Sequence, residues 1–202
     1  MTEEADTKQR LLQTACLLIW EQSYGSVSVD VICLRANVRK GSFYYFFPSK
    51  SDLAVAAMEE HWQKSRVALD RIFSPQLGAL ERLENFCDFI YERQKEKKKQ
   101  TGKVCGCPYA SMASELSTQD EKIRRKAVQI VDRYCKYLEN ALRDAKEEGL
   151  CRHKDCAARA REIYCQITGA LIQAKIQNDP EILKGLKNSV FRLLGVGAAA
   201  SR

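Results

Sequence analysis

Histidine is nearly absent from this chain, two residues in 202, and proline is almost as scarce at four. His61 and His153 are too few, and too poorly placed, to supply the base of a histidine-dependent active site. Four prolines and ten glycines, with almost no alternation of apolar and polar residues, leave little for strands, so helix should fill the chain. No uninterrupted apolar run is long enough to span a bilayer. The opening Met1-Thr-Glu-Glu-Ala-Asp6 is acidic and polar, unlike a secretory signal, so a cytoplasmic protein without membrane contact is expected. A glycine-rich phosphate loop and a paired-carboxylate constellation are also missing, and no cofactor is expected.

What is present is a folding composition, 45% hydrophobic and 29% charged, in a length that suits one long domain or two short ones. The net charge of +7 is compatible with nucleic acid but too modest to argue for it alone. Nine cysteines without an export signal should be thiols and not a disulfide framework. Cys16, Cys33, Cys87, Cys135 and Cys165 fall within helical stretches and read as small apolar residues.

One stretch carries most of the information, Val27 through Phe47 followed by Pro48-Ser-Lys50. Ser28 is a good N-cap, and Val29, Ile32, Cys33 and Ala36 follow at helical spacing. Asn37 tolerates the left-handed backbone that a sharp turn between helices needs. The spacing then predicts a short helix from about Arg39 to Phe46 that buries Phe43 and Phe47. Arg39, Lys40, Ser42, Tyr44 and Tyr45 face outward from it, and Gly41 lets backbone approach a phosphate or base edge closely. Such a helix is sized for the major groove.

The run resembles the N-terminal domain of the TetR family of bacterial transcriptional repressors, whose pattern reads T-V-x-x-I-A-x-x-A-G-V-S-K-G-x-L-Y-x-H-F and then K-x-x-L. Ser28, Val29, Ile32, Cys33, Ala36, Asn37, Val38, Arg39, Lys40, Gly41, Phe43, Tyr44, Phe46, Phe47, Lys50 and Leu53 carry the likeness. Asn37 replaces the turn glycine, Arg39 a small polar residue, and Phe46 a histidine. The resemblance implies double-stranded operator DNA as partner, with Ser28, Arg39, Lys40, Gly41, Ser42, Tyr44, Tyr45 and Lys50 as the DNA-binding set. Lys40, Tyr44 and Lys50 would hold phosphates, and Arg39, Ser42 and Tyr45 would reach base edges.

An all-α protein of about nine helices is expected. Residues 1–50 would form a three-helix DNA-binding domain, about 50–73 a connecting helix, and 74–202 a helical domain for effector binding and dimerisation. Further helices are predicted at about 7–22, 79–98, after Pro108, 119–148, 155–178 and 180–194. The last two carry apolar stripes, Ile163, Ile167, Ala170, Leu171 and Ala174, then Leu183, Leu186, Val190, Phe191 and Leu194. These stripes pack either inside the monomer or across a two-fold axis. The family likeness favours a homodimer through the last two helices, which suits a palindromic operator. The run Lys95-Glu-Lys-Lys-Lys99 reads as a solvated helix end.

In the second part, Pro108 suits the first position of a helix, which makes Cys107 its N-cap. Unpaired amide N–H groups, the helix dipole and nearby Lys103 would stabilise a thiolate there, so Cys107 is the expected electrophile- or oxidant-sensing residue, with Cys105 as resolving partner or bystander. Gly106, Cys107, Glu115 and Leu116 also resemble the Gly-Cys-x6-Glu-Leu signature of NemR-like members of the family, here with seven residues between Cys107 and Glu115. Lys175 is a further candidate beside the sensing cysteine. The other reading of this part is a noncovalent pocket for a small apolar inducer, with Trp62, Phe86, Phe89, Ile90, Tyr109, Met112, Tyr134 and Tyr164 as lining. Cys151, His153 and Cys156 fit no common zinc spacing, so no metal is expected. The alternative function is a thiol-dependent helical enzyme with Cys107 as nucleophile; a helical interaction protein would leave the outward Arg39–Tyr45 cluster unexplained.

Overall fold

The computed structural model describes residues 3–195. Among them are nine α-helices, one 3-10 turn and no strand: α1 (Glu3–Glu21), α2 (Val29–Ala36), α3 (Lys40–Phe46), α4 (Lys50–Ile72), α5 (Ala79–Thr101), α6 (Pro108–Leu116), α7 (Glu121–Glu147), α8 (Cys156–Ile176), the turn Pro180–Gly185, and α9 (Leu186–Leu194). The expected all-α class and helix number are therefore found. The single helix expected over 180–194 is two pieces. Asp179 caps a 3-10 turn opened by Pro180, and Gly185 interrupts before α9.

The chain divides into two compact units, Met1–Ser65 with Pro108–Ile130, and Arg66–Cys107 with Val131–Arg202. The unit that holds α1–α3 is thus larger than the 1–50 span expected, because α4 as far as Ser65, α6 and the first turns of α7 belong to it. Residues 1–2 and 196–202, the ends of the expected spans, lie outside the described residues.

In the first unit, Leu11, Leu12, Ala15, Leu18 and Ile19 of α1 form one buried stripe, joined by Ile32, Cys33 and Ala36 of α2 and by Phe43 and Phe47. Removing two buried phenylalanines from water stabilises this small unit by roughly 2–3 kcal/mol each. That anchorage fixes which face of α3 remains outside.

In the second unit, α8 starts where Asp155 accepts a hydrogen bond from the Ala158 N–H at 2.9 Å. Ile163, Ile167, Leu171 and Ala174 of α8 are buried within the single chain, as are Leu183, Leu186, Val190, Phe191 and Leu194. Apart from Ala170, which is half-buried and lines the outward groove, the two apolar stripes therefore pack inside the monomer. The reason is geometric: α8, the 3-10 turn and α9 pack on one another, and the turn and α9 pack on α5, where Leu83, Phe86 and Ile90 are also buried. The outward side of α8 and α9 is an open groove instead, lined by Cys165, Gly169, Ala170, Gln173, Ser189 and Leu193 among others.

Candidate nucleic-acid interface and effector segment

The reading face is assembled from local chemistry. The Ser28 hydroxyl accepts from the Val31 N–H at 3.2 Å and starts α2, so this side chain is engaged as a cap. Asn37 ends α2 in the left-handed region at φ 52°, and its turn sends the chain into α3 within three residues. No side chain caps α3, whose N-cap is Arg39. The unpaired amides of its first turn accordingly face outward beside Arg39, Lys40 and Gly41, an arrangement that favours anions.

Arg39, Lys40, Gly41, Tyr44 and Tyr45 are exposed together, Tyr45 at 71%, while Ser42 is half-buried. A methyl group placed on Gly41 would meet nothing within 4 Å, so the protein's own packing does not require glycine there. Lys40 pairs with Asp30 at 2.7 Å, and that hydrogen bond raises its ammonium above the ordinary lysine value. Lys50 is set apart from this group. Its ammonium donates to the Tyr24 carbonyl at 2.6 Å and lies 3.8 Å over the Tyr24 ring. Burial pushes its pKa down, against the pull of Glu115.

The segment around Cys107 belongs to the second unit and is held by two side chains that carried no sequence signal. Buried Gln94 of α5 donates to the Gly106 carbonyl at 3.2 Å and accepts from the Gly106 N–H at 2.9 Å. Asn178, just beyond α8, accepts from the Val104 N–H at 2.8 Å and donates to the Gly102 carbonyl at 3.1 Å. Gly106 itself has φ 69°, and Lys175 of α8 covers it: a Cβ there would be 3.3 Å from the Lys175 Cδ. Lys175 is thereby brought beside the residue that precedes Cys107.

The two neighbouring thiols differ. Cys105 is 2% exposed, whereas Cys107 is only partly covered and immediately precedes α6. Tyr164 lies within electrostatic reach of Cys107; burial first, then Cys107 and Tyr134, pushes its phenol pKa up. From Tyr164 an aromatic row continues to Tyr134 at 6.0 Å and Phe86 at 6.3 Å, and then to Phe73 at 5.2 Å. Phe86, Phe89, Ile90, Tyr134 and Tyr164 all fall in this second unit. Trp62, Tyr109 and Met112, named with them from sequence, are buried in the first. Cys151 is buried with its thiol directed to the Leu142 carbonyl, and no cluster able to hold a metal occurs among the described residues.

A capped short helix, a left-handed turn and a second short helix that displays cations and phenols define a helix-turn-helix DNA-binding protein. Residues 11–57 match the family described as "Bacterial regulatory proteins, tetR family", and residues 79–190 match "Tetracyclin repressor-like, C-terminal domain". The chain belongs to the TetR family: it is a DNA-binding transcriptional regulator and not an enzyme. An uncharacterized HTH-type transcriptional regulator from the lacX 3' region of Lactococcus lactis is 30% identical over 89% of this chain and 88% of its own. The HTH-type transcriptional repressor NemR of Escherichia coli K12 is 26% identical over 96% and 97%. Among solved structures, the reduced form of E. coli NemR superposes with a TM-score of 0.81 at 24% identity, covering 96% of this chain and all of that one, which supports the fold. A TetR regulatory protein from Rhodobacter sphaeroides gives 0.81 at 26% identity over 92% and 97%. No helix among the described residues is long and apolar enough to cross a membrane.

Proposed function

We propose that this regulator is a repressor that leaves its operator when an electrophile or oxidant modifies Cys107. The observation that carries the reading is the contrast between the two adjacent thiols: Cys105 is buried, while Cys107 is partly open beside Tyr164 and follows a glycine covered by Lys175. A cationic neighbour favours the thiolate, which is the reactive form. Toward an unsaturated carbonyl the thiolate sulfur bonds to the β-carbon, the double-bond pair moves onto oxygen as an enolate, and water returns a proton. The name of the relative NemR, a repressor, is consistent with this direction of control.

Phe86, Tyr134 and Tyr164 favour an aromatic or quinone-like effector, because planar rings stack on the row they form. A noncovalent apolar inducer in the same row is the second reading, favoured by those side chains alone. DNA engagement rests on Arg39, Ser42 and Tyr45 toward base edges and on Lys40, Tyr44 and the Gly41 amide toward phosphates. Lys50 and Ser28 support the motif from behind through the Tyr24 and Val31 contacts.

Members of this family act as dimers. Pairing through the outward groove of α8 and α9, where Gly169 admits close helix approach, would present two copies of α3 to one two-fold operator. Release then needs only that the modified protein prefer the arrangement that does not fit DNA, and the size of that preference limits the effect. The test is a mobility-shift assay on the DNA flanking the protein's own gene, with and without N-ethylmaleimide, benzoquinone or hypochlorite. A shift that Cys107→Ser loses no less readily than the wild type under these reagents overturns the covalent reading.

A further inference from the structure

Glu115 of α6 makes contacts that the DNA-reading surface and the thiol site leave unexplained. Its carboxylate accepts the Gly25 N–H at 2.7 Å and the Tyr24 N–H at 3.3 Å, ninety residues earlier in the loop between α1 and α2. The same loop is held from its other side, where Lys50 donates to the Tyr24 carbonyl. Tyr24 is ringed by acids: after burial, Asp120, Glu115 and Asp52 push its phenol pKa up. Asp52 in turn accepts from Lys122 at 2.7 Å and from Ser49 at 2.6 Å. A polar knot thus ties the loop to the C-terminal end of α6, the start of α4 and the start of α7.

The loop leads directly into the reading motif. Val27 is fully buried and Ser28 caps α2, so the position of residues 24–27 sets where α2 begins. The tight turn at Asn37 passes that position on to α3. A Cβ at Gly25 would stand 2.9 Å from Glu115 Oε1, closer than such atoms approach, so the carboxylate would have to move from its place. In the chain, α6 begins at the residue after Cys107, and it belongs to the compact unit of α1–α3 and not to that of Cys107.

We infer that Glu115 is a latch by which α6 holds the α1–α2 loop and α2 in the DNA-reading arrangement, and that opening it is how modification of Cys107 reaches α3. The second clause rests on the sensing role proposed above; the first does not. Glu115 is a positioning residue, since it acts through the loop backbone that it holds. A carboxylate that accepts two backbone donors is a strong tether.

The experiment uses the full-length protein, a duplex selected in vitro from a randomised pool by the wild type, and N-ethylmaleimide as electrophile. Glu115→Ala removes the acceptor; Gly25→Ala keeps it but displaces it, and provides a second variant should the first fold poorly. Both should bind the selected duplex about tenfold more weakly, the worth of one charge-assisted hydrogen bond. Both should also exchange the Tyr24 and Gly25 amide hydrogens at least several-fold faster without DNA, while Glu115→Gln, which retains one acceptor, falls between. Cys107 should react at the wild-type rate in both. Affinity within twofold of wild type, or unchanged exchange, in both variants overturns the latch. Should the Cys107 adduct release wild-type protein from DNA without faster exchange at Tyr24 and Gly25, the route through the latch is wrong and the sensing role stands. Should the adduct form and release nothing, the sensing role fails, while the variants' affinities still decide whether Glu115 holds the loop.

Discussion

Asp30 on α2 and Lys40 at the start of α3 form an ion pair of 2.7 Å on the outer face of the helix-turn-helix. Both partners are well exposed, so the pair itself adds little to stability. Its consequence is for DNA. A phosphate that approaches Lys40 must compete with a carboxylate already in place, which lowers affinity for every sequence alike.

Asp30→Asn should therefore tighten binding to operator and random duplex together, and Lys40→Ala should weaken both. For the alanine variant the slope of log affinity against log salt should shrink by about one, the signature of one lost phosphate contact. Fluorescence anisotropy between low and moderate salt checks this. A loss confined to one sequence would assign Lys40 to base reading instead.

Gly41 separates folding from function. Alanine in a helix interior is more stable than glycine by roughly 0.5–1 kcal/mol, and here nothing within 4 Å opposes the added methyl. Gly41→Ala should leave or raise the melting temperature and yet reduce DNA affinity, because under the proposed docking the methyl would lie where a phosphate or base edge comes. A variant that binds as tightly as wild type would show that DNA does not approach this backbone.

The helix-turn-helix was legible because its signals are local. A serine cap, a left-handed asparagine and the Phe43 and Phe47 anchors are each read within a few residues, and all three appear in the structure as expected. The stripes on α8 and α9 were legible as apolar but not as to partner. Periodicity says that Ile167 or Val190 must be covered, and never by which surface. Gln94 and Asn178 gave no signal, and Glu115 only as part of a signature with no hint of its partner, because each acts on backbone groups 12 to 91 residues away. Lone polar side chains at helix surfaces look alike until the fold brings an amide to them.

The thiols should sort by exposure. With N-ethylmaleimide at neutral pH, Cys107 should label before Cys105, which stays protected until the chain opens. Gln94→Leu removes the two hydrogen bonds that Gln94 makes to the buried Gly106 backbone, at about 1–3 kcal/mol each. It should speed labelling of Cys105 and lower the melting temperature. Peptide mapping by mass spectrometry reads the order directly; equal rates at Cys105 and Cys107 in the wild type would refute the protection argument.

Cys87 gives the pH dependence. Burial, with Asp88 and Glu84 beside it and Lys187 opposing, pushes its thiol from 9.0 up to about 12. The unfolded chain therefore gives up this proton near pH 9, while the folded chain keeps it until about pH 12. Between those limits the folded state binds more protons, so stability must fall as pH rises, by up to about 1.4 kcal/mol per pH unit from this group. Below pH 9 the contribution to the slope vanishes. Cys87→Ala should show a lower melting temperature at pH 7 from lost packing, together with a flatter decline from pH 9 to 11. Denaturant titrations of both proteins across that range test the sign: parallel declines would mean that Cys87 ionises in the folded state as readily as in the unfolded one.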